Sequence, residues 1–192
     1  MSITFKNTEI EDLIIIEPHM FPDDRGLYKK YYEKEVYKAA GIVCDFTESS
    51  DIYSYKGTLR GLHYQNNYSQ AKLLHVISGS IYDVALDLRK KSKTFGKYHT
   101  ELLRAEDNKI LFIPEGFAHG FITLSESAIF SYQCSGKYDP ASCGGILWND
   151  SELKIPWPLE EYGIQNIICT EKDRTWPTFS EYCEMLCLGR GY

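Results

Sequence analysis

No stretch of this 192-residue chain approaches the roughly 20 apolar residues needed to span a bilayer; the longest early run, Leu13 to Ile16, is strand-sized. No charged segment leads into an apolar run and a small-residue cleavage site, so a cytoplasmic location with reduced thiols is expected. The six cysteines (Cys44, Cys134, Cys143, Cys169, Cys183 and Cys187) form no zinc-type Cys-x-x-Cys pair. Cys183 and Cys187 stand four apart, a helical spacing rather than an argument for a bridge. There is no His-x-His, because Tyr64-Gln65 follows His63, and no Glu follows soon after on the same run, so no metal is expected. Internal repeats, low-complexity tracts and linkers are also missing. An excess of basic charge is lacking too. The formal net charge of −6 argues against general nucleic-acid binding and membrane-surface attachment. Arg25, Arg60, Lys72 and Lys172 remain able to hold one small anion.

Helix is scarce. Glu33 to Ala40 can make two turns closed by Gly41, and Thr178-Phe-Ser-Glu181 has capping-box spacing ahead of a short C-terminal segment. What the chain has is 43% hydrophobic residues, enough to bury a core, in a length that fits one domain over residues 1–192. Short β-type runs recur between turn signals: Leu13 to Pro18, Leu27 to Tyr32, Cys44 to Tyr53, Thr58 to Gln65, Leu73 to Ile77, Ser80 to Leu88, His99 to Leu103, Lys109 to Ile113, His119 to Leu124, Ala128 to Cys134 and Gly145 to Trp148. This is the pattern of an all-β sandwich or barrel and argues against a parallel α/β fold. Ser80 to Leu88 alternates cleanly, with Tyr82, Val84, Leu86 and Leu88 on one face and Ile81, Asp83, Ala85 and Asp87 on the other. Two carboxylates make the second face wet. On pattern alone, outer surface is favoured over a polar cavity.

Two runs carry chemistry. Leu59-Arg-Gly-Leu-His-Tyr-Gln65 and Ile113-Pro-Glu-Gly-Phe-Ala-His-Gly-Phe121 each set one histidine among glycines and apolar residues. His63 suits general-base work near neutrality; the alternative is a histidine satisfied inside a barrel. His119 lies on a turn into a strand, where a bond to backbone is the bland reading. Arg60 offers a planar fork to phosphate, or a structural ion pair. Lys72 can stabilise an enolate oxygen, or stand exposed on a strand. Tyr132 and Tyr138 can donate protons to a carbanion, although packing is the default among 15 tyrosines. Glu171-Lys172-Asp173 reads by itself as a solvated loop.

Taken in order, Gly57-Thr-Leu-Arg-Gly-Leu-His-Tyr-Gln65, Asp83-Val-Ala-Leu-Asp-Leu-Arg89, Thr94-Phe-Gly96, the Ile113 to Phe121 run, Leu147-Trp-Asn-Asp150, Ile155-Pro-Trp-Pro158 and Glu171-Lys-Asp173 resemble the dTDP-4-dehydrorhamnose 3,5-epimerase family. The resemblance runs from about Ile15 to Asp173. It implies a cupin-type jelly roll, a homodimer to which the strands of residues 1–35 contribute, and no metal or organic cofactor. The implied substrate is a nucleotide-diphospho-sugar with a 4-keto-6-deoxyhexose, epimerised at C3 and C5. By this resemblance His63 is the base and Asp173 orients it, Lys72 stabilises the enolate, and Tyr132 returns the proton on the opposite face. Arg25, Arg60 and Lys172 hold diphosphate or sugar oxygens. Tyr28, Gln65, Asp83, His119 and Tyr138 complete the binding set, with Asp83 now pointing inward.

The chain departs from the family pattern at four places. Lys30 stands where Glu is expected, Glu48 and Ser50 replace a Gln-x-Asn pair, and Cys143 replaces a Glu. All are substrate-contacting positions in the family. Thymine presents a donor at N3 that a carboxylate accepts, whereas cytosine presents an acceptor there that Lys30 could satisfy. Two readings follow: a CDP-linked substrate, or a dTDP-linked one with Lys30 in solvent and Glu48 on thymine. An epimerase acting at one centre, a sugar 3,4-ketoisomerase and a non-catalytic sugar-nucleotide-binding cupin are the further alternatives. The C-terminal tail, residues 177–192, has no assigned role.

Overall fold

A computed structural model describes residues 3–188. Thirteen strands are present: β1 (Thr4–Asn7), β2 (Ile14–Glu17), β3 (His19–Asp23), β4 (Gly26–Lys30), β5 (Phe46–Tyr55), β6 (Leu59–Gln65), β7 (Lys72–Ser78), β8 (Ser80–Asp87), β9 (Tyr98–Arg104), β10 (Ile110–Ile113), β11 (Phe117–Thr123), β12 (Ser127–Ser135) and β13 (Cys143–Gly145). Among the described residues three short α-helices accompany them, α1 (Lys34–Ala39), α2 (Glu171–Arg174) and α3 (Phe179–Cys187), with one 3-10 turn at Pro140–Ser142. A six-stranded sheet, β1-β2-β10-β7-β12-β5, faces a five-stranded one, β13-β6-β11-β8-β9, and β3-β4 form a separate hairpin. This is the cupin-type jelly roll that the motifs imply.

Alternation explains how the sheets meet. Leu74 and Val76 of β7, Leu111 and Ile113 of β10 and Phe130 of β12 pack on Ile81 and Ala85 of β8, Leu103 of β9 and Phe121 of β11, closing the space between the sheets. The other face of β8 is no freer: Val84 and Leu86 lie under Phe179, Tyr182 and Leu186 of α3. The C-terminal tail is therefore a lid on the five-stranded sheet through Leu188, its last four residues falling outside the described ones. Thr178 and Glu181 form the capping box that the spacing predicts. Cys183 and Cys187 both lie on that helix with free thiols.

The outer-surface reading of the Asp83/Asp87 face is overturned, since both carboxylates are fully buried. Asp83 meets His119. Asp87 accepts hydrogen bonds from Arg89, Ser92 and Thr94 at 2.6–3.0 Å, which accounts for the Asp-Leu-Arg and Thr-Phe-Gly motifs as one buried corner. Period-2 alternation separated the two faces, but not which of them turns inward: the Asp83/Asp87 face, with Ile81 and Ala85, lies between the sheets, and α3 covers the opposite one. Two further corrections concern short elements. The last strand runs Cys143–Gly145, ahead of the expected Gly145 to Trp148, and Glu171 to Asp173 is a helical turn, not a solvated loop.

Candidate active site

Between the sheets lies a cavity of about 450 Å³, lined among others by Arg60, His63, Lys72, His119, Tyr132 and Asp173. The volume fits a sugar with part of its diphosphate. His63 enters from β6 on one sheet; Lys72 of β7 and Tyr132 of β12 enter from the other. Tyr132 is paired in register with Leu74, and Lys72 with Cys134, so ammonium and phenol sit one row apart on the same wall.

His63 is held by a residue 110 positions away. Its Nε2 lies 2.5 Å from Oδ1 of the buried Asp173. Burial alone would raise the Asp173 pKa, but hydrogen bonds from His63, Thr170 and Trp176 outweigh it and hold the carboxyl down at about 2. An ionised carboxylate only accepts, so Nε2 carries the proton and Nδ1 keeps the lone pair. The single turn α2 places this carboxylate: Thr170 Oγ1 accepts from the Asp173 N–H at 3.2 Å and donates to Oδ2 at 2.7 Å. The preceding segment is tied to β6, Leu59 N–H donating to the Ile168 carbonyl at 2.9 Å and Ile168 N–H to that of Gly57 at 2.9 Å. Gly57 permits this approach, because a Cβ there would stand 2.8 Å from the Asn166 carbonyl oxygen.

A second histidine–carboxylate pair faces the first. His119 is the register partner of His63, and its Nε2 lies 2.7 Å from Asp83 Oδ2. Lys72 has no ion-pair partner among the described residues. Enclosure pushes its pKa below the ordinary lysine value, against the opposing pull of Cys134, Cys143 and Asp83. Burial pushes the Tyr132 phenol up, and the Ser50 hydroxyl bonded to it partly offsets this. No group of three or more His, Cys, Asp or Glu side chains among the described residues is arranged to hold a metal ion.

Residues 7–181 match the family profile described as dTDP-4-dehydrorhamnose 3,5-epimerase. The enzyme of that name from Methanothermobacter thermautotrophicus is 41% identical over 177 residues, 92% of this chain and 95% of that one. The crystal structure of the Bacillus anthracis enzyme with TDP and pyrophosphate bound superposes with a TM-score of 0.86 at 40% identity, covering 92% of this chain and 99% of that one. The Legionella pneumophila enzyme in complex with dTDP-4-keto-L-rhamnose gives 0.88 at 37% identity, covering 93% of each chain. The chain belongs to the dTDP-4-dehydrorhamnose 3,5-epimerase family.

The epimerase cavity gathers most of the residues expected from the sequence: His63, Asp173, Lys72, Tyr132, Arg60, Glu48, Gln65, His119, Tyr138, Cys143 and Lys172 all line it. Some are already engaged. The Gln65 amide donates to the Tyr68 and Lys137 carbonyls and accepts from the Asp139 N–H, fastening the 137–139 loop. Asp83 reaches the cavity only through His119, and Ser50 only through Tyr132. Arg25, Tyr28 and Lys30 do not meet the cavity in this chain. They sit on the exposed β3-β4 hairpin, Arg25 on Asp23 at 2.7 Å and Lys30 on Glu33 at 3.0 Å. Sequence reasoning passed over Thr170 and Trp176, which both bond the Asp173 carboxylate. The Thr170 signal was available as an N-cap three residues before Asp173; a lone tryptophan near the end of a resemblance carries none.

Proposed function

We propose that this epimerase converts dTDP-4-dehydro-6-deoxy-D-glucose to dTDP-4-dehydro-L-rhamnose by inverting C3 and C5. The observation that carries this reading is the opposition of base and acid across the sheets. A sugar lying between them presents one ring face to His63 Nδ1 and the other to Tyr132. Both C–H bonds flanking a C4 ketone are acidic, and removal of either proton leaves an enolate. Lys72 offsets the charge on its oxygen. Reprotonation from Tyr132 on the far face inverts the centre, whereas return from His63 would restore it. Arg60 has no ion-pair partner among the described residues, and its guanidinium meets only Ser54 Oγ, at 3.3 Å; with Lys172 it holds the diphosphate.

Thymidine is favoured over cytidine, because Glu33 engages the Lys30 ammonium while Glu48 lines the cavity with no ion-pair partner among the described residues. The hairpin exposes Met20, Phe21, Leu27 and Tyr28. Apolar side chains gathered on one projecting element favour burial against a second copy, which would bring Arg25 and Tyr28 to a partner's cavity. Sedimentation should then give twice 22.2 kDa; a monomer refutes this arrangement. No helix among the described residues is long and apolar enough to cross a membrane, and the reading places the enzyme in the cytoplasm with its nucleotide-sugar substrate.

The deciding experiment is NMR of the dTDP- and CDP-linked 4-keto-6-deoxyglucose incubated with the protein in D2O. Deuterium at both C3 and C5 of the dTDP sugar is expected. Label at one centre supports a single epimerase, and carbonyl migration a ketoisomerase. No exchange supports a binding module, and faster exchange in the CDP sugar reverses the nucleobase assignment.

A further inference from the structure

We infer that Trp176 is a positioning residue that sets the basicity of His63 by sharing its carboxylate. Asp173 Oδ1 receives two donors, His63 Nε2 at 2.5 Å and Trp176 Nε1 at 3.3 Å, while Oδ2 receives Thr170. The indole lines the same cavity as the base. It stands edge-on to the imidazole, 70° between the planes and 6.1 Å between centroids.

Its placement is built. Gly145 on β13 is the register partner of His63, and a Cβ there would sit 2.5 Å from indole atoms, so only glycine lets the ring in. The Lys172 ammonium lies 4.7 Å from the ring centroid. The indole is thus wedged between the strand beside the base and a cation at the cavity wall.

The consequence is electrostatic. An oxygen that accepts from two donors offers less negative potential to either. The indole N–H therefore weakens the grip of Asp173 on the imidazolium more than on the neutral ring, and favours the neutral form that can take a proton. The other titratable groups around the dyad are Arg60 and Tyr64 on β6, His119 on β11 with Asp83 behind it, Glu48, Lys72, Tyr132 and Cys134 on the opposite sheet, Tyr138 and Cys143 at the cavity wall, Glu171, Lys172 and Arg174 on α2, and Cys169 before it. None of these, among the described residues, bonds the Asp173 carboxylate. Removing the indole N–H is thus the cleanest way to change the carboxylate without moving the backbone, since Thr170 also caps α2.

The test compares Trp176→Phe with the parent by NMR titration of the His63 ring and by the pH profile of kcat/KM. Phenylalanine keeps an aromatic ring against Gly145 and under Lys172, and removes the N–H together with part of the bicyclic ring. The His63 midpoint and the acid limb should both move up by about 0.5, the size of a modest hydrogen bond. An unmoved midpoint overturns the inference, and so does a uniform fall in kcat with the limb in place, which is what mere packing would give. The inference rests on His63 being the base, and the two readouts separate the failures. A midpoint that rises while the limb stays put overturns the base assignment and leaves the Trp176 coupling standing. If Trp176→Phe does not fold, site-specific benzothienylalanine, an indole isostere without the N–H, gives the same two outcomes.

Discussion

Two histidines of the same chemical type line this cavity, and their partners divide the labour. His119 is nearly enclosed, with Nε2 given to the buried Asp83. His63 is about half exposed toward the cavity, with Nε2 given to Asp173 and Nδ1 left for the substrate. The tautomer is therefore the functional quantity at His63, and one atom of Asp173 controls it. Asp173→Asn keeps the shape but can present an amide N–H₂ to Nε2. That would move the ring proton to Nδ1, the atom that must be bare. The variant should lose about 10²–10⁴-fold in kcat with KM little changed, and ¹⁵N shifts of the His63 ring should report the switched tautomer. Retention of activity with the proton still on Nε2 would mean the carboxylate charge is dispensable.

The elements that matter most to the site are the shortest ones. One turn of helix carries Asp173, and three residues of β13 carry Gly145 behind the base. Asp150 shows how such pieces are fixed. Nearly buried, it accepts the Glu152 and Leu153 amides through Oδ1 at 2.9 and 2.7 Å, and the Phe179 amide through Oδ2 at 2.9 Å, joining a loop to the first turn of α3. Asp150→Ala strands three donors and should lower unfolding free energy by about 2–4 kcal/mol, read as a lower urea midpoint. A midpoint equal to the parent's would show that water replaces the carboxylate at no cost. The strands β6 to β8 and β10 to β12 were legible in the sequence because burial fills them with apolar and aromatic residues between turn signals, with period 2 showing cleanly in β8. β1 and β3 were not. β1 is four residues long with little burial, and β3 contains Pro22 and exposes most of its side chains, so neither displays an alternating pattern. The four-residue α2 is too short to show a 3.6 period, and its function was legible only through the Glu-Lys-Asp motif. The indole contact at Asp173 spans only three residues, but its meaning depends on the pairing of Asp173 with His63 across 110 residues, which no local signal encodes.

At the scale of the molecule, the groups perturbed by folding set how stability varies with pH. Glu9, Asp87, Glu101 and Asp173 all have depressed carboxyl pKa values, burial being overcome by hydrogen bonds from His99, Arg89, Lys109 and His63 among others. Their contribution is complete above the ordinary carboxylate range and is lost as pH falls from about 4 toward 2. His99, between Glu9 and Glu101, works the other way. Burial lowers its pKa, but the bonds to the two carboxylates more than reverse this. Its raised value gives stability that is full below about 6.5 and fades as pH rises through the folded value. The window between is governed by His75, on the outer face of β7 and stacked on Tyr31 with centroids 3.8 Å apart and planes 19° apart. Burial drives it down to about 4, with Lys29 adding to the effect and Asp51 opposing it. The unfolded chain takes up this proton near pH 6.5 and the folded chain only near 4, so the contribution is present above 6.5 and drains away between those values. Tyr31 follows directly on the hairpin strand β4, so the same titration loosens the hairpin's anchor to the six-stranded sheet. His75→Phe keeps a ring against Tyr31 and removes the proton site. The parent Tm should fall by a few degrees between pH 6.5 and 4.5 while that of the variant stays nearly level, both collapsing together below about pH 4 as the carboxylates protonate. Parallel Tm curves across pH 6.5 to 4.5 would show that His75 titrates alike in the folded and unfolded chains.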